Sequence, residues 1–210
     1  MNWDQLTDDL GPFGLFVMGA LTRDGETITL VGADQAMWPL FQSSPEYQDR
    51  VPDPLDTWSK RVLRPIATAH ACRAVFPSDG PPYLPFIDWA KATGAFWPSP
   101  TGMLIHDKAG LMISIRGALI APGMFDLPRA SGRAPCETCA DRPCETACPV
   151  RALSPTTAYD VPACKTHVAS ETGQDCLNAG CRVRRACPVS QSFGRDPEQS
   201  QFHMKSFMGM

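Results

Sequence analysis

The chain has 210 residues, of which 43% are apolar and 20% charged, and its 19 basic and 22 acidic side chains give a net charge of −3. Charged side chains interrupt the longest apolar stretch, residues 101–125, which excludes a transmembrane helix there, and the N-terminus lacks the pattern of a secretory signal. Because the charge balance is not basic, we expect no nucleic-acid partner, and we expect a cytoplasmic protein without a membrane partner.

The first residues predict a helix followed by a β-hairpin. Asn2 is a favoured N-cap for an amphipathic helix. An apolar segment over residues 13–20 and a β-branched segment over residues 27–31 flank the turn Arg23–Glu26. This turn contains Asp-Gly, the dipeptide typical of a two-residue hairpin connection.

Three helices are predicted next. Asp34 is a favoured cap for a short helix, and Asp53-Pro54 is typical of the start of a longer one. Pro65 is expected to kink or end that longer helix. Residues 85–93 predict a third helix, which ends before a glycine.

A second hairpin completes the prediction for this part of the chain. Residues 102–106 and 111–120 are apolar, and residues 107–110 between them favour a turn. The predicted order α-β-β-α-α-α-β-β contains hairpins and no βαβ crossovers. We therefore expect an α+β fold around an antiparallel sheet.

Cysteine is distributed very unevenly. Eight of the nine cysteines lie between Cys136 and Cys187, after a change to Pro, Gly, Ser, Ala and Arg over residues 121–135 that is typical of a linker. The ninth, Cys72, is expected to be a buried apolar residue. The tail after Val189 is expected either to be loosely ordered or to fold back on the chain.

The spacing of the eight cysteines indicates iron–sulfur clusters. The first four read Cys136-x2-Cys139-x4-Cys144-x3-Cys148-Pro149, and the others are Cys164, Cys176, Cys181 and Cys187-Pro188. Bacterial ferredoxins use a similar short run, in which the cysteine before proline binds the other cluster. Two Cys-Pro pairs therefore predict two clusters with exchanged ligands.

Three alternatives stay open at this point. Paired zinc sites favour two well-separated C-x2-C pairs, of which only one is present. Structural disulfides need an oxidising compartment, which the missing secretory signal does not favour. Insertions within both cysteine groups leave the nuclearity open, so that one centre is either [4Fe–4S] or [3Fe–4S].

The segment from Cys136 to Cys187 resembles the two-cluster ferredoxin module of epoxyqueuosine reductases and reductive dehalogenases. The stretch Cys164–Glu171 is similar to the C-x-x-x-L-x-x-E segment that supplies one ligand in epoxyqueuosine reductase. The resemblance implies two ligand sets. One set would be Cys136, Cys139, Cys144 and Cys187, and the other would be Cys148, Cys164, Cys176 and Cys181.

Residues 1–123 are similar to CblC-type cobalamin-processing proteins, which have a nitroreductase-like fold. The most specific matches are TGMLIH at 101–106 and IRGALIAPG at 115–123, and weaker ones are GPFG at 11–14, QAMW at 35–38 and DPLD at 53–56. The resemblance implies a nitroreductase-like antiparallel sheet with helices, followed by a small ferredoxin-like module. It divides the chain into a corrinoid-binding domain (1–123), a linker (124–135), a module with two [4Fe–4S] clusters (136–189) and a C-terminal tail (190–210).

Together the two resemblances imply an iron–sulfur cobalamin reductase. Such an oxidoreductase would reduce the cobalt of cobalamin, with loss of the upper axial ligand, using electrons relayed through two [4Fe–4S] clusters from a small donor protein such as a ferredoxin, flavodoxin or flavin reductase. The alternatives are a corrinoid and iron–sulfur reductase of an organic substrate, a cobalamin trafficking chaperone, and a plain ferredoxin joined to an unrelated domain. No catalytic triad or carboxylate pair is evident, and we expect the chemistry to belong to the cofactors.

The residues expected to contact the corrinoid form one segment and one separate arginine. They are Trp97, Ser99, Thr101, Gly102, Met103, Leu104, Ile105, His106 and Arg116. Their mixture of apolar and polar side chains suits a flat ring with peripheral amides. Three of them also have an ordinary interpretation: Trp97 as a core residue, His106 as a hydrogen-bonded turn residue, and Arg116 as the partner of an acidic neighbour. The basic residues Arg182, Arg184 and Arg185 would dock an acidic donor, offset cluster charge or form a solvated face.

Overall fold

The computed structural model describes residues 1–128 and 132–210. It contains two compact units, one formed by Met1–Phe96 with Ser114–Gly132 and the other by Trp97–Ile113 with Arg133–Met210. Among the helices of the described residues, each is too short or too polar to cross a bilayer.

Strands and helices are interspersed up to Pro122, and the elements described after it are helical. The strands are β1 (Leu15–Arg23), β2 (Glu26–Ala33), β3 (Arg73–Val75), β4 (Phe96–Pro98), β5 (Leu104–His106) and β6 (Ile115–Pro122). The helices are α1 (Trp3–Leu10), α2 (Met37–Gln42), α3 (Pro45–Gln48), α4 (Pro54–Ala69), α5 (Phe86–Ala92), α6 (Val161–Ala169), α7 (Gln174–Ala179), α8 (Arg182–Ala186), α9 (Pro188–Phe193) and α10 (Pro197–Met208).

The first unit is built on a four-stranded sheet in the order β1-β2-β6-β3. Each neighbouring pair is antiparallel. The expected α+β class with an antiparallel sheet is therefore confirmed. Strand β2 is central, and its residues from Thr27 to Ala33 are buried, as expected for a strand with both faces covered.

The first hairpin forms where the sequence predicts it. Asp24 and Gly25 have φ angles of 53° and 78°, and positive φ at both central residues defines the turn type that matches the twist of paired strands. The predicted helix cap is also confirmed, because the side chain of Asn2 accepts a hydrogen bond from the backbone N–H of Gln5 at 3.2 Å.

Aromatic side chains form a large part of the core of the first unit. Trp38, Phe41 and Trp58 are almost completely buried. The ring centroids of Trp38 and Phe41 are 5.6 Å apart, and those of Phe41 and Trp58 are 5.9 Å apart. Burial of large apolar side chains stabilises a fold by about 1.5–3 kcal/mol each, so these rings anchor α2 and α4 within the unit.

Two predictions about the first unit are corrected. The sequence predicts that Pro65 kinks or ends helix α4. The helix continues through Pro65 to Ala69, so the predicted end is wrong, and the predicted kink stays a prediction. Leu63, Ile66 and Ala67 on either side of the proline are buried. Pro65 has no backbone N–H and cannot donate a helical hydrogen bond. The burial of these apolar side chains favours a helix that continues despite this loss.

The second predicted hairpin is also wrong in its pairing. Strand β5 pairs with β4, whereas β6 joins the four-stranded sheet between β2 and β3. Only a single bridge links His106 to Gly110 across the predicted turn. The apolar residues of β6 gain more burial between two strands of the sheet than at the edge of an isolated hairpin, which explains the difference.

The second unit contains an inserted segment and the C-terminal part of the chain. Residues 97–113 belong to it, whereas the sequence prediction places them in the first domain, 1–123. Ile105 and Leu111 from this segment share an apolar cluster with Leu153 and Val183. The tail is helical over α9 and α10, and Ser200 of α10 packs close to Gly180, which follows α7.

The predicted linker, residues 124–135, contains the point in the chain at which the first unit ends, at Gly132, and the second unit resumes, at Arg133. Residues 129–131 of it lie outside the described residues. Residues 124–128 and 132–134 belong to no helix or strand, as the composition predicts. A short 3-10 helix, Pro135–Glu137, then begins the cysteine segment.

Candidate metal centres

Four cysteines surround a cavity in the second unit. Cys136, Cys139, Cys144 and Cys187 all line this first cavity, which has a volume of about 380 Å³. Cys144 and Cys187 are buried, and Cys136 and Cys139 are half-buried. Three of these thiols come from one short segment, and the fourth comes from a distant part of the chain.

Short 3-10 helices and a helix start position these thiols. Cys136 and Cys144 are the central residues of two 3-10 helices, Pro135–Glu137 and Pro143–Glu145. Cys187 precedes α9, whose first residue is Pro188. Proline is favoured at the first position of a helix because it fixes φ and needs no hydrogen bond there. The prolines beside these cysteines therefore set the local turns that present the thiols.

The sequence contains a repeat that the spacing analysis missed. Residues 135–138 and 143–146 both read Pro-Cys-Glu-Thr. Both copies begin with the 3-10 helices that carry Cys136 and Cys144. A search for short internal repeats would have found this signal.

The other four cysteines line a second, smaller cavity. Cys148, Cys164, Cys176 and Cys181 surround this second cavity, whose volume is about 20 Å³, together with several apolar side chains and His167. Cys164 lies on α6 and Cys176 on α7, and Cys181 directly precedes α8. The side chain of Asp160 caps α6 by accepting a hydrogen bond from the Ala163 N–H at 2.9 Å.

The thiols within the first set act on one another electrostatically. Burial raises the pKa of the Cys144 thiol to about 11, with further contributions from the neighbouring thiols of Cys136, Cys187 and Cys139. Burial also raises the pKa of Cys136, followed by the effects of Cys187 and Cys139. Since each thiolate disfavours ionisation of its neighbours, a cation bound among these thiols would favour their thiolate forms.

The second set shows the same pattern. Burial raises the pKa of Cys164, a hydrogen bond with Tyr159 opposes this effect, and the thiols of Cys181 and Cys148 raise the pKa further. Burial is also the main cause of the raised pKa of Cys176, to which Cys181 contributes. The thiols that raise the pKa of Cys136, Cys144, Cys164 and Cys176 thus belong in each case to the same set of four.

The donor chemistry of both sets fits an iron–sulfur cluster. Clusters of the [4Fe–4S] type are held by four cysteine thiolates, and each cavity has four. Within residues 1–128 and 132–210, no group of three or more His, Cys, Asp or Glu side chains converges closely enough to hold a single metal ion.

Cys72 is separate from both sets. It lies in the first unit, where it is half-buried, and its thiol donates a hydrogen bond to the carbonyl of His70 at 3.3 Å. Burial raises the pKa of this thiol. All nine cysteines are free thiols in the structure.

The residues predicted to contact a corrinoid are divided between the units. Trp97 to His106 lie in the second unit, whereas Arg116 lies on β6 in the first. Ser99 and Ile105 line the first cysteine cavity, and Trp97 and Met103 pack against the apolar cluster that contains Cys144 and Cys187.

The remaining members of this predicted group have various environments. The Ser99 and Thr101 hydroxyl groups are 3.1 Å apart and buried. Gly102 is exposed with a φ of 79°, and Leu104 is half-buried in β5. The Arg116 guanidinium is 3.6 Å from the Asp56 carboxylate, and its burial lowers the pKa of this group. An acidic neighbour is thus present, as the ordinary interpretation of Arg116 requires.

His106 is held by the turn that follows it. Its Nδ1 accepts hydrogen bonds from the backbone N–H groups of Lys108 and Ala109, both at 3.1 Å. Its Nε2 is 3.2 Å from the Asp107 carboxylate. An Nδ1 acceptor requires the proton of the neutral ring to be on Nε2, so both ring nitrogens are engaged within the turn.

The arginines near the second set have intramolecular partners. Arg182 and Arg185 both contact the Asp175 carboxylate, at 2.6 Å and 2.5 Å. Arg184 donates a hydrogen bond to the carbonyl of Leu111. The hydrogen bond from Arg182 is the main cause of the lowered pKa of Asp175. These contacts lie within the second unit, and the sequence does not indicate them.

Comparisons with known proteins give no match. No family model, no curated protein and no solved structure is similar enough to this chain to count as a match.

Proposed function

We propose that the chain holds two [4Fe–4S] clusters and is a cobalamin reductase. The observation that carries this proposal is the division of eight cysteines into two sets of four, each around its own cavity. The ligands of one cluster would be Cys136, Cys139, Cys144 and Cys187, and those of the other would be Cys148, Cys164, Cys176 and Cys181. When bound, such clusters supply one-electron transfer at potentials that the surrounding protein adjusts.

A separate observation supports cobalamin as the electron acceptor. Ser99 and Ile105 belong to the segment that resembles CblC-type proteins, and both line the first cysteine cavity. A corrinoid bound along this segment would lie close to the first cysteine set. Short distances favour electron transfer, so this arrangement suits an enzyme whose acceptor is a corrinoid.

The chain's own residues would bind and shield the corrinoid. Ile105 and Leu111 give the cavity wall an apolar character, and the buried hydroxyl groups of Ser99 and Thr101 offer hydrogen bonds to amides. The proposed reaction takes one electron from a small donor protein, reduces Co(III) to Co(II), and releases the upper axial ligand. We place this activity in the cytoplasm, where thiols remain reduced.

Anaerobic purification with metal analysis tests the first half of the proposal. We expect about eight iron and about eight sulfide per chain, the content of two cubane clusters. Stoichiometric zinc without sulfide would overturn the cluster assignment. A cobalamin titration tests the second half: the corrin absorption bands are expected to shift on binding, and unchanged bands would remove cobalamin as the substrate.

Variants connect the two halves. The double variant Cys136→Ser with Cys148→Ser removes one proposed ligand from each set. We expect this variant to bind cobalamin but not to reduce it with electrons from a small donor protein such as a ferredoxin. Cys72→Ser is the matched control, because this thiol lies outside both sets. Full reductase activity in the double variant would contradict the proposed role of the clusters.

A further inference from the structure

His167 belongs to the wall of the second cavity. It lies one helical turn after Cys164 on α6, and residues three apart on a helix share a face. It lines the cavity together with all four cysteines of the second set. The sequence gives no signal for this position, because a histidine within a helix is ordinary.

The ring of His167 has a buried polar atom without a partner. Its Nε2 is buried and makes no hydrogen bond with any described residue. The backbone carbonyl of the same residue accepts hydrogen bonds from the N–H and hydroxyl of Ser170, at 2.9 Å and 2.7 Å. The backbone carbonyl is thus satisfied and the ring nitrogen is not, and an unpaired buried polar group destabilises a fold.

The rest of the cavity wall does not supply an acceptor for the ring. Apart from the cysteines, His167 and Arg182, the wall is apolar and includes Leu153, Val168 and Met204. An iron–sulfur cluster in the cavity would bring sulfur atoms that accept hydrogen bonds. A buried unpaired donor that lines such a cavity points to the group that the cavity holds.

Resting on the proposed function, we propose that His167 donates a hydrogen bond from Nε2 to a sulfur of the second cluster and raises its reduction potential. Reduction adds one negative charge to the cluster. A hydrogen bond to sulfur stabilises the more negative state and therefore favours the reduced form. His167 would be a positioning and tuning residue, in the sense that second-shell partners tune a metal centre.

Tyr159 also interacts with a thiol of the second set. The hydroxyl of Tyr159 is hydrogen-bonded to the thiol of Cys164. Tyr159 precedes Cys164 in the chain, and His167 follows it. The proposal predicts that the second cluster accepts electrons more readily than it would in an apolar cavity.

Redox titration of the anaerobic holoprotein, followed by electron paramagnetic resonance, tests this proposal. His167→Leu removes the donor, His167→Gln keeps an N–H donor, and Thr166→Leu is an exposed control on the same helix. For His167→Leu we expect the reduction equilibrium of one of the two clusters to become at least tenfold less favourable. For a one-electron couple, this corresponds to a fall of about 59 mV in its midpoint potential. His167→Gln is expected to have midpoint potentials close to those of the wild type, and Thr166→Leu is expected to leave them unchanged.

The outcomes separate this inference from the proposed function. Unchanged potentials in His167→Leu, with full iron and sulfide, would overturn the inference and leave the clusters in place. Loss of about half of the iron in both His167→Leu and His167→Gln would also overturn it, because a hydrogen-bond donor is not required to hold a cluster. Absence of iron and sulfide in the wild-type protein would instead overturn the proposed function.

Discussion

The hydroxyl of Ser190 accepts a hydrogen bond from the backbone N–H of Leu111 at 2.8 Å. Both groups are buried, and the contact joins α9, which follows Cys187, to the segment that carries Ile105 and Leu111. The same segment is held by Arg184, which donates to the carbonyl of Leu111. A few polar contacts thus fix the inserted segment beside the fourth cysteine of the first set.

Ser190→Ala is expected to destabilise the second unit by about 1–3 kcal/mol, because it leaves the buried N–H of Leu111 without an acceptor. Urea denaturation combined with hydrogen exchange of residues 104–113 measures this effect. Ser206→Ala, at an exposed position of α10, is the matched control. Equal stability of the two variants would contradict the role assigned to Ser190.

Gly110→Ala is expected to be more damaging than Ser190→Ala. Gly110 has a φ of 58°, and a Cβ atom there would lie 2.4 Å from the backbone nitrogen of Ser190. The left-handed conformation alone costs a non-glycine residue about 1–2 kcal/mol, and the backbone clash adds to this cost. We expect a lower melting temperature and a lower iron content. Gly209→Ala, at an open position with φ of 77°, separates the two effects, since it has the conformational cost without the clash.

The two cysteine sets are expected to lose metal independently. Cys144→Ala removes a proposed ligand of the first cluster, and Cys176→Ala removes one of the second. Each variant is expected to retain about four of about eight irons, since each cluster needs its own four thiolates. Iron analysis and electron paramagnetic resonance measure the outcome, with Cys72→Ala as the control. Complete loss of iron in both variants would indicate that the two centres form only together.

Acid is expected to weaken the first unit through Glu46. This carboxylate is buried and paired with Arg61, with one contact at 3.0 Å, and the hydrogen bond from Arg61 is the main cause of its lowered pKa. A carboxyl whose pKa is lower in the folded state stabilises the fold above its unfolded pKa. This stability is lost as the pH falls from about 4.5, the unfolded pKa, through the folded one.

Urea denaturation at pH 7 and at pH 4 tests this linkage. Glu46→Gln should be less stable than the wild type at pH 7, and its free energy of unfolding should fall less between the two pH values. The effect is expected to be modest, because about half of the Arg61 side chain is exposed to solvent. Parallel pH profiles in the two proteins would show that Glu46 does not carry the linkage.

His106→Asn is expected to preserve the turn that His106→Leu disrupts. The Asn side-chain oxygen can accept the backbone N–H groups of Lys108 and Ala109, as Nδ1 does in the structure. Leu leaves both donors without this acceptor, so we expect it to be less stable by about 1–3 kcal/mol. Thermal denaturation of both variants checks this order. If His106 instead contacts cobalt, the two variants should alter the bands of bound cobalamin alike, whatever their stability.

Local signals in the sequence predicted the features that depend on neighbouring residues. The first hairpin follows from Asp24-Gly25, whose positive φ angles few other residues adopt. The cap of α1 follows from Asn2, whose side chain reaches the N–H of Gln5. In each case the residues that decide the structure lie within a few positions of one another.

Features that depend on distant residues were not predictable in the same way. The apolar run of β6 is compatible with a hairpin, and its true partners, β2 and β3, come from far earlier in the chain. Similarly, nothing local shows that Cys187 lies beside Cys144; this grouping was expected only from the resemblance to two-cluster ferredoxin modules. The position of His167 in the wall of the second cavity likewise depends on which face of α6 meets that cavity.

The discontinuity of the second unit has a consequence for its synthesis. The ribosome makes residues 97–113 before any of the eight clustered cysteines, and it adds Cys187 and Val189 of the first cavity after the other seven of these cysteines. The wall of the first cavity is therefore complete only after residue 189 has been synthesised. A C-terminal fragment that begins within residues 124–135 would contain all eight thiols but would lack Ser99, Ile105 and Leu111, which line the first cavity. The cysteine segment alone therefore does not contain the complete wall of this cavity.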